Sequence, residues 1–470
     1  MSALIIVPCF WHRRIEAGDL PSHTYNAWLA QLIQQGRAPG LYLAPRWNNV
    51  LFDFLLLYSA KVFGFGTGPK IAVALCALLF FWGVFSFLAA FSERSPWFLT
   101  PCIAMLTYGF IFNMGFFNYY LSIVLACFGL ALLWKPEGWD WLAGLLLLAL
   151  GTLAHPMGSL WFAATLGYVL MRRKFNSPWA FSVPIAAIGA FVAVHWYLVH
   201  VAEFDVSWPD RPFYLFNGFD QLVLYSSRYR FVAYFLLPIF ILWIAAEFLQ
   251  RRVRLKLSVP FVLAIELYVV ALCATSLLPQ DVRLSISAAW IGLLVSRLTV
   301  ISAIFGLCIL SSLQPRKWTL VATLAVAVFF FVLVFANTAQ LNRLEAHAES
   351  ITVALPPGTR VIPTIEAPPD SRIPFIHHVV DRACIAHCFT YSNYEPSSGQ
   401  FRVRVRPGSP IAVAVARDSQ EMEAGNYVVQ PTDPPLTNIY QCDPADFTVL
   451  CMRILKPGET TGISGPDSEN

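Results

Sequence analysis

The chain has 470 residues, of which 57% are hydrophobic and only 13% are charged, and its formal net charge at pH 7 is +4. Soluble domains have about 25% charged residues, so this composition excludes an ordinary soluble globular protein. The basic residues form short clusters between apolar stretches. Such clusters report the orientation of a chain in a membrane, and they argue against nucleic acid as a partner.

The first ten residues, Met1–Phe10, are mostly apolar and are followed by the polar string Trp11–Arg14. A membrane-spanning helix needs about 20 residues, so this run has half the required length. It lacks the basic start and the small-residue cleavage site of a secretory signal peptide. We interpret it as a first transmembrane helix that is shortened by the choice of start codon.

The segment Gly18–Gly36 concentrates polar side chains next to this first run, namely Asp19, His23 and Asn26. The Leu-Pro pair after Asp19 predicts the start of a helix with Asp19 as its N-cap. His23 then lies one turn further along on the same face. An apolar stripe at helical spacing predicts that this helix lies flat at the membrane surface. The stripe consists of Tyr25, Trp28, Leu29, Leu32 and Ile33. In the alternative interpretation Asp19 is only a cap and His23 is a surface residue.

Residues 11–69 are expected to form an outer loop with interfacial helices. Within it, the apolar stretch Val50–Phe65 contains Asp53 and Lys61 and follows the polar string APRWNN. We interpret this stretch as a helix that dips into the outer face of the membrane. The alternative is an ordinary span, which would reverse the topology upstream.

Ten further apolar runs have the length and composition of membrane spans, and in lipid the backbone of each must be helical. They are Lys70–Phe91, Trp97–Asn113, Phe117–Trp134, Trp141–His155, Met157–Met171, Trp179–Val201, Phe231–Leu249, Val259–Leu278, Leu284–Leu313 and Trp318–Asn337. Together with the first helix they predict an all-α polytopic membrane domain of about 11 spans over residues 1–337. Even numbers of runs separate the basic clusters 172–174, 251–256 and 316–317, which places all three in the cytoplasm.

An odd number of spans puts the carboxyl end outside the cytoplasm. After Asn337, prolines, charges and turn pairs replace the apolar runs. Residues 338–457 are therefore predicted to form a small extracytoplasmic domain of α/β or β-rich type. It is expected to open with a short helix, Gln340–Glu349, and to contain a strand in the alternating string Phe401–Arg406. Residues 458–470 are predicted to be a disordered polar tail.

Four cysteines lie in this terminal domain, and an even count in an oxidising compartment favours disulfides. The simplest pairing is Cys442 with Cys451 and Cys384 with Cys388, although four cysteines allow three connectivities. The alternative is a metal site formed by these cysteines with His377, His378 or His387.

The layout resembles the GT-C superfamily of polyprenyl-phosphate-dependent glycosyltransferases. The resemblance lies in an acidic residue soon after the first span, an amphipathic outer loop, many further spans and an extracytoplasmic terminal domain. Locally it covers Asp19, the aromatic-rich helix and the string QGRAPGLYLAPRWNNVLFDFLLLYSAKVFG. It implies transfer of a sugar from a polyprenyl-phosphate donor to a glycan, lipid or protein acceptor, with Asp19 as base or metal ligand.

By the same resemblance, His23 shares this catalytic role or binds the donor phosphate. No cofactor is certain, and a divalent metal such as Mg²⁺ or Mn²⁺ would be held by Asp19 and His23. The family often carries a second acidic residue in a later outer loop. The matching turn here, FNMGFFNYY, offers Asn113 and Asn118, whose amides bind sugar hydroxyls but are weak metal ligands.

Eight residues of the outer face are predicted to bind substrate: Tyr25, Asn26, Arg46, Asn49, Asn113, Asn118, His155 and Arg297. For His155 the alternative is a role in helix capping or packing. Arg297 lies within a span, where a charge is costly and indicates function, and the alternative is a buried pair with Glu266.

The sequence therefore predicts a multi-pass glycosyltransferase of the bacterial inner (plasma) membrane that contacts membrane lipid. Two functions of other classes stay open. A transporter or flippase of lipid-linked sugars or polysaccharide would carry charged residues in mid-membrane on several helices. A non-catalytic membrane scaffold would tolerate replacement of Asp19 and His23.

Overall fold

The computed structural model describes residues 1–175, 181–202, 205–208, 217–250, 259–283, 290–443 and 445–462. The basic cluster 251–256 and the last part of the predicted tail lie outside the described residues. The chain forms two compact units. The first unit comprises Met1–Ile5, Leu75–Phe112 and Phe117–Leu333, and the second comprises Ile6–Ala74, Asn113–Phe116 and Val334–Asn470.

The described residues are mostly helical. In chain order the α-helices are α1 (Ser2–Ile6), α2 (Leu20–Gln34), α3 (Leu51–Ser92), α4 (Thr100–Thr107), α5 (Phe110–Asn113), α6 (Phe117–Leu132), α7 (Asp140–Ala154), α8 (Pro156–Lys174), α9 (Ser182–His200), α10 (Arg230–Gln250), α11 (Val259–Leu277), α12 (Leu294–Ser311), α13 (Lys317–Ala354), α14 (Val379–Ala383), α15 (Tyr394–Ser398) and α16 (Ala416–Glu423).

Nine short strands complete the secondary structure: β1 (Leu41–Leu43), β2 (Asp205–Ser207), β3 (Asp281–Arg283), β4 (Trp290–Ile291), β5 (Arg360–Thr364), β6 (Phe389–Thr390), β7 (Val403–Val405), β8 (Leu436–Gln441) and β9 (Leu450–Leu455). This count covers only the described part of the chain. In the first unit β2, β3 and β4 form an antiparallel sheet.

Six helices among the described residues are long and apolar enough to cross a membrane. They are Leu51–Ser92, Ser182–His200, Ser227–Leu249, Val259–Leu277, Leu294–Ser311 and Lys317–Ala354. Trp97–Asn113, Phe117–Leu132 and Asp140–Ala154 are apolar but shorter. These helices are consistent with an integral, polytopic membrane protein, and the total of 11 spans stays a prediction.

Two predicted spans and one predicted helix of the terminal domain differ in detail from the structure. The run Trp97–Asn113 is divided into a 3-10 turn, α4 and α5. In the run Leu284–Leu313 the helix begins only at Leu294, because Trp290 and Ile291 pair in a strand. The separate helix Gln340–Glu349 does not exist, since α13 continues without interruption to Ala354. No glycine or proline lies between the apolar and polar parts of α13, so nothing in the sequence ends the helix there.

The helix α3 is broken at Gly64, whose φ of 73° and ψ of 168° are accessible mainly to glycine. The arm before the break, residues 51–63, is about 20 Å long at about 1.5 Å per residue. That length is too short for a hydrocarbon core of about 30 Å. The geometry therefore favours the interpretation of Val50–Phe65 as a helix that does not span the membrane by itself.

The second unit contains a four-stranded mixed sheet with the strand order β6-β5-β8-β9. Strand β5 runs parallel to β6 and β8, and β9 is antiparallel to β8. The predicted strand in Phe401–Arg406 is present as β7, and it pairs with β1 of the 11–69 loop. The buried core beside the sheet consists of Ile362, Tyr391, Val413, Met422, Tyr427, Val429, Leu436 and Leu455.

Two disulfides lie in this unit, Cys384–Cys388 and Cys442–Cys451, which are the pairs that the spacing favours. Their sulfur atoms are therefore bonded to each other, and a metal site that uses these cysteines is wrong. The predicted disorder from residue 458 is also wrong for residues 458–462. Their backbone bonds to Gly425, Tyr427 and Val429, which holds the start of the tail against the domain.

Candidate functional site

Helix α2 begins at Leu20 as predicted, with Asp19 at the N-cap position and Pro21 in the first turn. The Asp19 side chain, however, makes no capping hydrogen bond. The backbone N–H groups of Gly18 and Asp19 donate to the carbonyls of Asn113 and Met114 at 2.7 and 2.9 Å. Backbone contacts therefore hold the helix start, and the buried carboxylate of Asp19 is not used as a cap.

The prediction that α2 lies flat at the membrane surface stays a prediction, and eleven of its 15 residues are buried. Its polar side chains bond to the terminal domain within the second unit. The Tyr25 hydroxyl accepts a hydrogen bond from the Thr390 N–H at 3.0 Å, and Asn393 donates to Asn26 Oδ1 at 3.0 Å. Tyr25 and Asn26, which the sequence suggested as substrate-binding residues, thus make contacts that hold the helix.

His23 is also buried, which makes the surface interpretation of this residue wrong. Its Nδ1 lies 3.1 Å from Oε1 of the buried Glu395, and the Ser22 hydroxyl donates to the same oxygen at 3.2 Å. Burial lowers the pKa of His23, but the charge and hydrogen bond of Glu395, with the charges of Asp53 and Asp19, raise it to about 9. His23 therefore carries a positive charge at neutral pH and is poorly suited to accept a proton there.

The protonated His23 predicts a specific dependence of stability on pH. Because its folded pKa lies above the unfolded value of about 6.5, its stabilising contribution is complete below that value and is lost as pH rises through about 9. We expect the unfolding temperature of the detergent-solubilised protein to fall between about pH 7 and about pH 9.5, and to fall less in His23→Gln. The exposed His387 provides the control His387→Gln. Equal pH slopes in His23→Gln and wild type would contradict the assigned charge.

A second cluster of ionisable groups lies at the turn before α14 and at the end of α16. Nε2 of His377 is 3.5 Å from Oε2 of Glu423, and Nδ1 of His378 is 2.9 Å from Oδ2 of Asp381. Burial, together with the neighbouring His377, lowers the pKa of His378 to about 3. Burial raises the pKa of Asp381 to about 7, although the charge of His377 opposes the rise. His378 is therefore neutral, and its Nδ1 shares a hydrogen bond with the carboxyl group of Asp381.

Asp19 connects the two clusters electrostatically. Burial lowers the pKa of His377, while Glu423 and, more weakly, Asp381 and Asp19 raise it above its ordinary value. Burial, with the charges of Asp19 and Glu395, raises the pKa of Tyr394 well above its ordinary value. The second unit thus gathers three imidazole–carboxylate pairs near the start of α2.

A buried ion network lies close to the same helix start. The Arg382 guanidinium donates from Nε to Glu345 Oε1 at 2.7 Å and from Nη2 to Glu16 Oε2 at 3.1 Å. Nε of Arg14 lies 3.1 Å from Glu345 Oε1. A small cavity in the second unit is lined by Arg14, Ile15, Leu20, Phe65, Gly66, Pro69, Lys70 and Arg382. Three of these residues are cations, and Leu20 directly follows Asp19.

The other predicted substrate-binding residues of the second unit have varied surroundings. Arg46 donates a hydrogen bond to the carbonyl of Gln400. Asn49 is half-buried and has a positive φ of 56°. Asn113 is buried, and its carbonyl accepts from Gly18.

Asn118, His155 and Arg297 belong to the first unit. His155 accepts a hydrogen bond from the Met157 N–H at 3.3 Å, so the capping role that the sequence left open is confirmed. Tyr119 brings His155 and Arg297 together, since its ring centroid lies 5.4 Å from that of His155 and its hydroxyl donates to the Arg297 carbonyl at 2.9 Å. Asn118, the residue before Tyr119, is buried.

The alternative prediction of a buried ion pair between Arg297 and Glu266 is wrong. Glu266 is bound by the Arg172 guanidinium, with Nε 2.9 Å from Oε2 and Nη2 3.0 Å from Oε1, and by the Tyr168 hydroxyl at 3.0 Å. The planar guanidinium of Arg172 matches both carboxylate oxygens at once, which satisfies the charge of Glu266 inside the helical unit.

Asp381, Glu395 and Glu423 were not predicted from the sequence, and His377 and His378 were predicted as metal ligands only together with cysteines. One local signal was available, because His378 and Asp381 stand three residues apart at the start of a short helix. Glu395 and Glu423 carry no such signal. Their role depends on side chains that come from distant parts of the chain.

No protein-family model, no curated protein and no solved structure matches this chain. Its functional interpretation therefore depends on the layout of the sequence and on the geometry of the second unit.

Proposed function

We propose that this protein is an integral membrane glycosyltransferase that moves a sugar from a polyprenyl-phosphate donor to a glycan, lipid or protein acceptor outside the cytoplasm. The observation that carries this proposal is the position of Asp19. Its carboxylate is buried and does not cap α2, and the next residue lines a cavity with Arg14, Lys70 and Arg382. This transfer needs a base close to cations, and here Lys70 lines the cavity together with Arg14 and Arg382, which also pair with Glu345.

The chemistry assigns a role to each part of this arrangement. Asp19 accepts the proton of an acceptor hydroxyl, and the acceptor oxygen forms a new bond to the anomeric carbon of the sugar. The bond from that carbon to the phosphate oxygen breaks, and its electron pair leaves with the polyprenyl phosphate. Cations stabilise the negative charge that develops on the phosphate. Attack from the face opposite the leaving group inverts the anomeric carbon.

The charged His23 supports the assignment of the base to Asp19. Glu395 holds the imidazole in its protonated form, so His23 orients the neighbouring carboxylate or contributes positive charge toward the donor phosphate. A protonated His23 also stabilises the ionised form of Asp19, which is the form that acts as a base.

The direct test uses the purified full chain in liposomes with a panel of polyprenyl-phosphate hexoses and pentoses and with a cell-envelope extract as acceptor. We expect release of unglycosylated polyprenyl phosphate and transfer of labelled sugar from one donor of the panel. Movement of the intact labelled lipid between the leaflets, without cleavage, would overturn the proposal in favour of a transporter. Failure of every donor to react would count against glycosyl transfer from this carrier class.

A further inference from the structure

Three side chains of the terminal domain lie close enough together to bind one metal ion. His377 and His378 end a 3-10 turn, Phe375–His378, and Glu423 ends α16. One ligand atom from each residue lies within 4.8 Å of those of the other two. Ligands around one tetrahedral zinc ion are roughly 3.3 Å apart, so small side-chain rotations would close the site.

The surroundings of His378 strengthen this interpretation. Its Nδ1 bonds to Asp381 at 2.9 Å, and both side chains are 1% exposed. A carboxylate that holds one nitrogen of an imidazole fixes its tautomer and turns the other nitrogen toward a metal, as in many metal sites. The bond to Asp381 therefore leaves Nε2 of His378 available as a ligand.

His377 provides the second nitrogen. Its Nε2 is buried and makes no hydrogen bond to any part of the chain that the structure describes. The Glu423 oxygen beside it is 3.5 Å away, which is beyond a good hydrogen bond. A metal ion between the two side chains would satisfy both atoms.

We propose that His377, His378 and Glu423 bind a divalent transition metal ion of the zinc type, with Asp381 as the residue that positions His378. Two imidazoles and one carboxylate select such an ion over Mg²⁺ or Ca²⁺, which prefer oxygen ligands. Three protein ligands leave one position for water or a substrate oxygen. The ion also links the turn before α14 to the end of α16. This inference does not depend on sugar transfer.

The test is the metal content of the full chain, purified in detergent with an affinity tag free of histidine. After incubation with Zn²⁺ and gel filtration, we expect about one zinc per chain, unaffected by excess Mg²⁺. His377→Gln and Glu423→Gln are expected to lose the metal, because each removes one ligand. The controls His387→Gln and Glu421→Gln, at a more exposed histidine of the same domain and a neighbouring position of α16, are expected to keep it.

A second measurement separates a lost ligand from a misfolded variant. Zinc is expected to raise the unfolding temperature of wild type and of both controls, and to leave that of His377→Gln and Glu423→Gln unchanged. Without zinc the variants are expected to unfold cooperatively. Absence of zinc from wild type, its retention in His377→Gln, or its loss from the His387→Gln control would overturn the assignment. Because neither readout involves sugar, this proposal and the proposed function fail separately.

Discussion

Replacing Asp19 with asparagine is expected to lower the rate of sugar transfer by about 10²–10⁴-fold, the range for loss of a general base. The fold should survive the change. Asp19 makes no capping bond through its side chain, and asparagine suits the N-cap position equally well. The measurement is the release of polyprenyl phosphate by the purified variant under the conditions used for wild type.

The matched control for this change is Asp370→Asn, at an exposed aspartate of the same unit, which is expected to react as wild type does. In cells, Asp19→Asn should remove the sugar from surface glycans while the protein level stays normal. Unchanged glycans at a normal protein level would refute the catalytic role of Asp19. They would instead support a scaffold, which tolerates this replacement.

Replacing Arg382 with methionine is expected to destabilise the second unit by about 3–5 kcal/mol, because two buried carboxylates lose the cation that they share and only Arg14 stays beside Glu345. Glu16 and Glu345 are 3% and 0% exposed, and the Arg382 guanidinium bonds to both. Burial and the charge of Glu345 already raise the pKa of Glu16 well above its ordinary value, and Arg382 opposes that rise. Hydrogen exchange of the β5 and β8 amides in detergent measures the loss as faster local opening.

Arg417→Met is the control for this second prediction, since Arg417 pairs with Glu421 but its side chain is 84% exposed. No measurable change in exchange is expected there. In the double variant Arg382→Met and Glu345→Leu, part of the stability should return, because the variant no longer buries the Glu345 charge. Protection of β5 and β8 in Arg382→Met equal to that in wild type would show that the network contributes little.

The first unit was largely predictable, because its helices follow from composition. Long apolar runs must form helices in lipid, and α9, α10 and α11 lie within a few residues of the predicted bounds. The predicted helix bounds were wrong where a contact of a single residue ended the helix inside an apolar run. Leu293 adopts a positive φ and donates to Asp281, so α12 begins ten residues later than the apolar run.

The candidate site was predictable only in part. The Leu-Pro pair after Asp19 correctly indicated the start of α2, because N-cap preferences act within one turn. The partner of His23 is Glu395, which lies far along the chain, so no periodicity within α2 could reveal it. The same holds for Glu423, which reaches His377 from a different helix.

The sequence by itself determined that the chain is apolar and mostly helical and that a helix starts after Asp19, and it indicated the simplest of three possible cysteine pairings. These properties depend on composition and on interactions within a few residues. Only the tertiary structure decided that α2 is buried, that His23 is charged, and that two histidines and Glu423 converge. Burial and long-range charge set those properties, and both arise only when distant segments fold together into one unit.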